Sequence, residues 1–279
     1  MDPGDPAGEA PHVLIVGGLL TPPIGYRRMR RRLLDHGAAS VDVAPVSVID
    51  WARAGLSGFG ALQRTVARAI EGTHAGAGRP IIVVGHSGGG LLARLAMSDA
   101  PYRGRIGGVA PLVGCLVSLG SPHDLHRAPL GRSHEGVRLA AFLAEHQPGA
   151  YHRGTRYVTV ASDAVPASRP GTRRRGPVAR MQLAFFRRIT GPTLPPGSDG
   201  IVSVGLAHLD DAAQVTLHDT YHGVTGSPWY GDDAVIDVWW PVVLRSWRDA
   251  IGRSPAAGDR QEEGADAPGG EGVPGAPVD

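Results

Sequence analysis

The sequence predicts an α/β fold in which helices cover both faces of a mostly parallel central sheet. Short apolar runs rich in β-branched residues, such as residues 81–84, are typical of strands buried on both faces. Stretches with apolar residues at helical spacing alternate with these runs, as in sheets built with crossover helices. The 279 residues are enough to bury one large core, so we expect one main domain.

Composition limits the class of protein further. The single cysteine, Cys115, lies in the apolar run 112–119, so we expect a small core residue and no disulfide or cysteine-based metal site. No apolar run approaches the roughly 18 residues that a membrane span needs. The first residues lack the basic start and apolar core of a signal peptide. We therefore expect a cytoplasmic protein.

The charges are unevenly distributed. All 28 basic residues are arginine, and the net charge is +2. The end segment 254–279 holds one arginine and six acids, and residues 1–11 hold three acids, so residues 12–253 carry a net charge of +10. A basic body can favour an anionic surface such as a membrane. An ordinary solvated surface explains the same charges, and we expect no nucleic-acid partner.

Both ends of the chain are predicted to lie outside the fold. Residues 1–11 consist mainly of proline, glycine and acids, and residues 253–279 have a similar composition. Such segments cannot bury enough apolar surface to order themselves, so we expect both to be disordered. The folded domain is therefore predicted to span residues 12–252.

The first helix is predicted at residues 24–34. Tyr26, Met29 and Leu33 share its apolar face, and five arginines occupy its other faces. A basic helix of this kind can contact an anionic membrane surface, or its arginines can simply be solvated.

The other elements before the central motif follow from apolar patterns. Strands are predicted at 12–16 and 41–46. The next helix is predicted from five apolar residues at helical spacing, which are Leu56, Phe59, Leu62, Val66 and Ile70.

A glycine-rich turn stands at the centre of the chain. The buried strand at 81–84 is followed by Gly85-x-Ser87-x-Gly89 and then directly by a helix. Any Cβ at Gly85 or Gly89 would collide with the strand or the helix, and Ser87 must adopt a strained backbone conformation at the tip. This arrangement resembles the nucleophile elbow of α/β-hydrolases, in which the serine attacks a carbonyl carbon. The alternative is a strand-to-helix turn with an incidental serine.

The second half of the chain completes the sheet. Strands are predicted at 113–119, 156–161 and 213–217, and a closing helix at 233–247. We expect three tryptophans of that helix to anchor the core, namely Trp239, Trp240 and Trp247.

Two segments between these strands are candidates for a cap over the active site. Residues 121–155 include an apolar helix that could equally be an ordinary crossover helix. Residues 163–198 are rich in proline, glycine and arginine around an apolar helix near 181–189. Because long insertions inside compact domains are usually functional or mobile, we interpret this second segment as part of a cap.

A serine nucleophile needs a histidine base and a carboxylate that orients it, in the chain order serine, acid, histidine. His222 lies in the loop after the last strand, whereas His218 at the strand end should point sideways and His208 precedes that strand. Asp199 in the Ser-Asp-Gly-Ile-Val segment is the favoured acid, because bacterial lipases carry theirs in a similar segment. Asp163, directly after the fifth strand, is the alternative acid.

The oxyanion of the reaction needs two backbone amides. The first strand ends in Gly17-Gly18-Leu19, where α/β-hydrolases place one donor. The register of lipases makes Leu19 this donor and Gly88, next to the nucleophile, its partner. A plain tight turn is the alternative interpretation of the glycine pair.

An ordered set of motifs extends the resemblance to much of residues 12–248. This set is similar to that of the lipase-like α/β-hydrolases of cyanobacteria and plant plastids. It consists of Ile49-Asp50-Trp51, Gly85-His86-Ser87-Gly88-Gly89-Gly90 with Leu92-Ala93-Arg94, Leu119-Gly120-Ser121-Pro122-His123, Asp199-Gly200-Ile201-Val202-Ser203, Ala207-His208-Leu209, Tyr221-His222 and Pro228-Trp229-Tyr230-Gly231.

The resemblance implies an α/β-hydrolase fold with a cap insertion and a triad of Ser87, Asp199 and His222. The resemblance does not name a substrate. From the triad we expect hydrolysis of carboxylic esters, with acyl lipids or other apolar esters as substrates and no cofactor. Acyl transfer, thioester cleavage and a non-catalytic binding module are the alternatives. Residues expected around the substrate pocket are Gly18, Trp51, His86 and Trp229. The acid pairs Asp210/Asp211 and Asp232/Asp233 could hold a structural calcium ion but are more simply interpreted as loop or helix-start acids.

Overall fold

The structure, a computed structural model, describes residues 10–19, 21–127, 134–165, 197–224 and 228–252. In this part of the chain six strands form one sheet in the order β2-β1-β3-β4-β5-β6, and every neighbouring pair is parallel. The strands are β1 (His12–Val16), β2 (Ser40–Val43), β3 (Ile81–His86), β4 (Val113–Leu119), β5 (Arg156–Ser162) and β6 (Ala213–Leu217). The predicted mostly parallel α/β sheet is confirmed.

Helices pack on both faces of this sheet. They are α1 (Arg27–Asp35), α2 (Val48–Ser57), α3 (Gly60–Ala77), α4 (Gly88–Met97), α5 (Glu135–His146), α6 (Val204–Ala207) and α7 (Asp233–Ile251). Alternate strand residues enter opposite cores, since Leu14 and Val83 join the core under α2 to α5, whereas Ile15 and Val84 join the core under α1 and α7.

The strand register brings the chain's key loops to one edge of the sheet. Val16 pairs with Gly85, and His86 pairs with Leu119, so β1, β3 and β4 end side by side. In open parallel sheets the carboxyl ends of the strands are where ligands bind. The loops that begin at Gly17, Ser87 and Gly120 therefore lie next to one another.

The predicted helix through Leu56 and Ile70 is wrong in its first turn, because two helices occupy this region. Gly58 interrupts them with φ 85°, and Leu56 lies in the last turn of α2 with 90% of its surface exposed. The start of α2 is fixed by a capping box, in which Ser47 and Asp50 exchange side chain-to-backbone hydrogen bonds of 2.9 and 3.2 Å. A serine followed three residues later by an acid is the sequence signal that could have predicted the start of α2.

Three tryptophans of α7 are buried in the core beside β4 and α1. Each indole N–H donates to a backbone carbonyl: Trp239 to Tyr230, Trp240 to His36 and Trp247 to Pro80, at 2.8 to 3.1 Å. Burial of these large rings with satisfied N–H groups stabilises α7, which continues through Pro241 to its end at Ile251.

Several sequence predictions fall outside the described residues. These are the N-terminal segment up to residue 9, the acidic tail from residue 253, and most of the insertion 163–198 with its predicted helix. Within 121–155 the described part contains a 3-10 turn at Leu125–Arg127 and helix α5, which connects β4 to β5. The domain limits and the cap assignment stay predictions. None of the helices among the described residues is both long and apolar enough to cross a membrane.

Candidate active site

Ser87 lies at the sharp turn between β3 and α4. Its backbone has φ 56° and ψ −129°, and its N–H donates to the Leu119 carbonyl at 2.9 Å. A Cβ at Gly85 would approach the Gly90 Cα to 2.5 Å, and one at Gly89 would approach the Val16 carbonyl oxygen to 2.0 Å. The two glycines thus allow the strand and helix to pack closely while Ser87 adopts a conformation that residues with a Cβ rarely take.

Ser87 is in hydrogen-bond contact with a histidine and, through it, with a buried carboxylate. The Ser87 Oγ lies 2.9 Å from Nε2 of His222, and Nδ1 of that ring lies 2.7 Å from Oδ2 of Asp199. His222 follows β6, and its backbone N–H donates to the Asp199 carbonyl at 3.1 Å. The structure therefore brings together the three residues that the sequence placed in one triad.

The Asp199 carboxylate is held from both of its oxygens. Oδ1 accepts the backbone N–H groups of Ile201 and Val202 at 2.9 and 2.8 Å, and Oδ2 also accepts the Tyr230 hydroxyl at 2.9 Å. Burial alone would raise the pKa of Asp199, but the attraction of His222 and these backbone hydrogen bonds outweigh it and lower that pKa. The site is thus built to keep this carboxylate ionised.

The alternative acid and base form a separate pair. The Asp163 Oδ1 lies 3.0 Å from Nδ1 of His218, and their side chains are 40% and 81% exposed. His208 lies elsewhere again, between the hydroxyls of Thr159 and Thr216 at 2.9 and 3.1 Å.

The loop after β1 passes directly beside the serine. A Cβ at Gly18 would meet the Ser87 Cβ at 2.7 Å, so only glycine fits this close approach. The Gly18 N–H is already donated to the Tyr26 hydroxyl at 2.9 Å, which leaves the amide of Leu19 as the next candidate along the loop. Gly88 is the first residue of α4, whose N-terminal amides and positive dipole end favour a developing negative charge.

A buried hydrogen-bond relay, which sequence reasoning did not find, connects this loop to the histidine. The Tyr26 hydroxyl lies 2.8 Å from Nδ1 of His86, and Nε2 of His86 lies 3.0 Å from the His222 carbonyl. Because a carbonyl only accepts, Nε2 carries the proton and Nδ1 accepts from Tyr26. Burial, together with the nearby His222, lowers the pKa of His86 to about 3, so the ring stays neutral as this relay requires.

A largely apolar cavity of about 370 Å³ opens beside Ser87. Of the four residues predicted around a pocket, Trp51 lines it, whereas Gly18 packs against Ser87 and the rings of His86 and Trp229 pack edge to face. Its lining consists of Leu19, Trp51, Ala52, Gly55, Leu56, Phe59, Ser87, Gly88, Leu91, Pro122, Leu125, His134, Gly136 and Leu139. The cavity can take an apolar group attached to a carbonyl held at Ser87.

Two of the four acids considered for calcium are engaged in ion pairs. Asp232 lies 3.1 Å from Arg28, and Asp233 lies 2.5 Å from Arg32, so both tie the start of α7 to α1. Two of the five arginines of the first helix therefore have acidic partners. In the described ranges, no group of three or more histidine, cysteine, aspartate or glutamate side chains is arranged to hold a metal ion.

Comparison with known proteins supports the fold. No protein-family profile matches the sequence, and no curated protein matches it. Among solved structures, the Bacillus licheniformis lipase BlEst2 in its mature form is similar with a TM-score of 0.56 and 16% identity, over 84% of this chain and 92% of that one. The Legionella pneumophila phospholipase PlaB, in complex with thio-NAD, is similar with a TM-score of 0.56 and 15% identity, over 86% of this chain and 60% of that one. The chain has the α/β-hydrolase fold.

Proposed function

We propose that the protein is a serine hydrolase that cleaves carboxylic esters with an apolar acyl group. The observation that carries this proposal is the contact of the Ser87 Oγ with Nε2 of His222, at 2.9 Å, at the edge of an apolar cavity. A serine hydroxyl becomes a useful nucleophile only when a base can accept its proton. A strained serine in contact with an oriented histidine meets this requirement.

The proposed reaction begins with attack of the Ser87 Oγ on the ester carbonyl carbon while Nε2 of His222 accepts the hydroxyl proton. Asp199 stabilises the resulting imidazolium through Nδ1. The backbone amides of Gly88 and Leu19 stabilise the oxyanion of the tetrahedral intermediate. His222 then returns the proton to the leaving alcohol, and a water molecule, activated by the same ring, hydrolyses the acyl-enzyme to release the acid.

The cavity supports an apolar acyl chain as the favoured group. Its volume is about 370 Å³, and its lining is largely apolar. Trp51, Phe59 and Leu139 provide large apolar surfaces in this cavity. Their burial of the chain would favour apolar over charged acyl groups.

The closer assignment, to the lipase-like hydrolases of cyanobacteria and plant plastids, is part of this proposal and rests on the ordered motifs of the sequence. Contact with an anionic membrane surface is also proposed, from the exposed arginines of α1 such as Arg27 and Arg31. The cytoplasmic location remains a prediction from the sequence.

Transfer of the acyl group to an alcohol, and cleavage of a thioester, would use the same three residues. Product analysis with competing alcohols separates acyl transfer from hydrolysis, because only transfer yields a new ester. A binding module is the alternative from another class. It is disfavoured because binding alone gives no reason for a serine, a histidine and a carboxylate in hydrogen-bond contact.

The proposal is tested with a fluorophosphonate probe and a series of p-nitrophenyl esters. We expect a mass increase on Ser87 and hydrolysis of the esters, both absent in Ser87→Ala. Folded wild-type protein that neither reacts with the probe nor hydrolyses any ester, with or without detergent, would contradict the proposal. Activity that occurs only with detergent would mean that the rest of the protein covers the site, whereas no activity in either condition would mean that the site is inactive.

A further inference from the structure

Two helices form part of the wall around the cavity beside Ser87. Helix α2 contributes Trp51, Ala52, Gly55 and Leu56, and α5 contributes Gly136 and Leu139. The two helices also pack against each other. The width of the cavity therefore depends on how α2 and α5 are held together.

The turn that faces these helices contains an arginine in an unfavourable conformation. Tyr102 and Arg105 exchange backbone hydrogen bonds of 2.8 and 3.1 Å, and between them lie Arg103 with φ 49° and Gly104 with φ 78°. Two-residue turns with two positive φ values strongly prefer asparagine and glycine, in that order. Arginine at the first position has a conformational cost, which indicates that its side chain has a role.

The Arg103 guanidinium bridges the adjacent ends of α2 and α5. Nη1 donates to the carbonyl of Ser57, the last residue of α2, at 2.7 Å. Nη2 donates to Oε2 of Glu135, the first residue of α5, at 2.8 Å. A positive group is favourable both at the C-terminus of a helix and beside a carboxylate, so one side chain stabilises both ends.

The surroundings of this bridge are shaped to receive it. A Cβ on Gly58 would lie 2.3 Å from the guanidinium carbon of Arg103, so the glycine that ends α2 also makes room for the arginine. Glu135 is buried, and its Oε1 pairs with Arg138 of the same helix at 3.1 Å. Each oxygen of this carboxylate therefore has its own arginine partner, Arg138 on Oε1 and Arg103 on Oε2.

We propose that Arg103 is a positioning residue that fixes the spacing of α2 and α5 and so sets which acyl chains the cavity accepts. This inference rests on the proposed function, since it needs the cavity to be the acyl site. Loss of the bridge would let α2 and α5 separate and admit longer chains. Short chains would pack less closely and bind more weakly.

The test compares the variant Arg103→Asn with wild type on p-nitrophenyl butyrate, octanoate, dodecanoate and palmitate. Asparagine suits the turn, so folding should be preserved, and Arg103→Gly provides a second variant with the same advantage. We expect the ratio of kcat/KM for the palmitate ester to that for the shorter esters to rise about fivefold in the variants, mainly through KM. A change of this size is typical of the loss of a partly exposed ion pair.

The matched control is Arg138→Gln, which removes the other ion pair of Glu135 but leaves the contact with α2. Its chain-length profile should equal that of wild type. An unchanged profile in folded Arg103→Asn and Arg103→Gly, or an equal shift in Arg138→Gln, would overturn the proposal for Arg103. Failure of wild type to label at Ser87 or to hydrolyse any ester would instead overturn the proposed function, so the two failures are distinguishable.

Discussion

Two aspartate–histidine pairs lie after the last strands of the sheet, and they share residue types and the contacting ring nitrogen but differ in burial. Asp199 and His222 are buried, and Oδ2 of the acid lies 2.7 Å from Nδ1 of the ring, whose Nε2 contacts the Ser87 Oγ. Asp163 and His218 are exposed, and Oδ1 of the acid lies 3.0 Å from Nδ1 of the ring. A water-exposed pair of this kind gains little from its charges because the solvent screens them. The comparison teaches that the backbone around a pair, and not the pair itself, determines what it can do.

Backbone hydrogen bonds hold both members of the buried pair. Asp199 accepts two backbone N–H groups from its own loop, and its backbone carbonyl accepts the amide of His222, so one backbone hydrogen bond joins the acid to the base and two more fix the carboxylate. The loop with His222 is fixed again through His86 and Tyr26. In the proposed reaction, a histidine held in this way would act as the base without the cost of reorientation.

The largest effect is expected from removing the nucleophile or its base. Ser87→Ala and His222→Ala should each lower kcat by a factor on the order of 10⁴ to 10⁶, because the reaction then depends on the oxyanion hole and substrate binding alone. Steady-state hydrolysis of p-nitrophenyl octanoate measures this. His218→Ala is the matched control, and a comparable loss in that variant would move the base to the exposed pair.

The next effect concerns the acids. Asp199→Asn keeps the shape of the side chain but loses the charge that fixes the His222 tautomer, so kcat should fall about 10³- to 10⁴-fold with little change in KM. Asp163→Asn should retain wild-type activity. The reverse result, an active Asp199→Asn and an impaired Asp163→Asn, would identify Asp163 as the acid.

A smaller effect is expected from the relay behind the serine. Tyr26→Phe leaves Nδ1 of His86 and the Gly18 amide without their buried partner, so kcat should fall about tenfold while KM stays the same. The matched control is Tyr157→Phe, in another buried tyrosine that lies at the start of β5, at the other end of the strand from the triad. Equal effects of the two variants would mean that Tyr26 only supports the fold.

The relay also predicts a dependence of stability on pH. The ordinary pKa of histidine is 6.5, and burial lowers that of His86 to about 3, so between these values the unfolded chain binds a proton that the folded protein does not. Stability should therefore fall as the pH decreases through this window. Urea unfolding at about pH 7 and about pH 4.5 should show a smaller fall in His86→Gln than in wild type. An identical fall in both proteins would contradict the assignment of a buried neutral ring.

Much of the fold could be predicted because its signals are local. The apolar runs of β1, β3 and β4 and the glycines at 85 and 89 need only neighbouring residues to be interpreted. The break between α2 and α3 was missed because the apolar spacing continues across Gly58, although the capping box at Ser47 was visible in the sequence. Local spacing therefore predicts that a helix exists better than where it begins.

The candidate site could be predicted in part for a related reason. The chain order of serine, acid and histidine fits both Asp163 and Asp199, and the resemblance of the Ser-Asp-Gly-Ile-Val segment to that of bacterial lipases favoured Asp199. The contacts of Tyr26 could not be predicted, since the tyrosine fits the apolar face of its helix as well as any other ring. Its hydroxyl reaches His86 because β1 pairs with β3, so the segment after β1, which contains Tyr26, lies beside the end of β3. The contacts of Arg103 could not be predicted either, since its partners Ser57 and Glu135 lie 46 and 32 residues away along the chain.

The central claim is that the buried pair, and not the exposed one, activates Ser87. The most direct test is the rate at which a fluorophosphonate labels Ser87 in wild type, His222→Ala and His218→Ala, with the site read by peptide mass spectrometry. We predict fast labelling at Ser87 in wild type and His218→Ala and almost none in His222→Ala. Equal labelling rates in wild type and folded His222→Ala would contradict the account, because the serine would then be reactive without the histidine that contacts it.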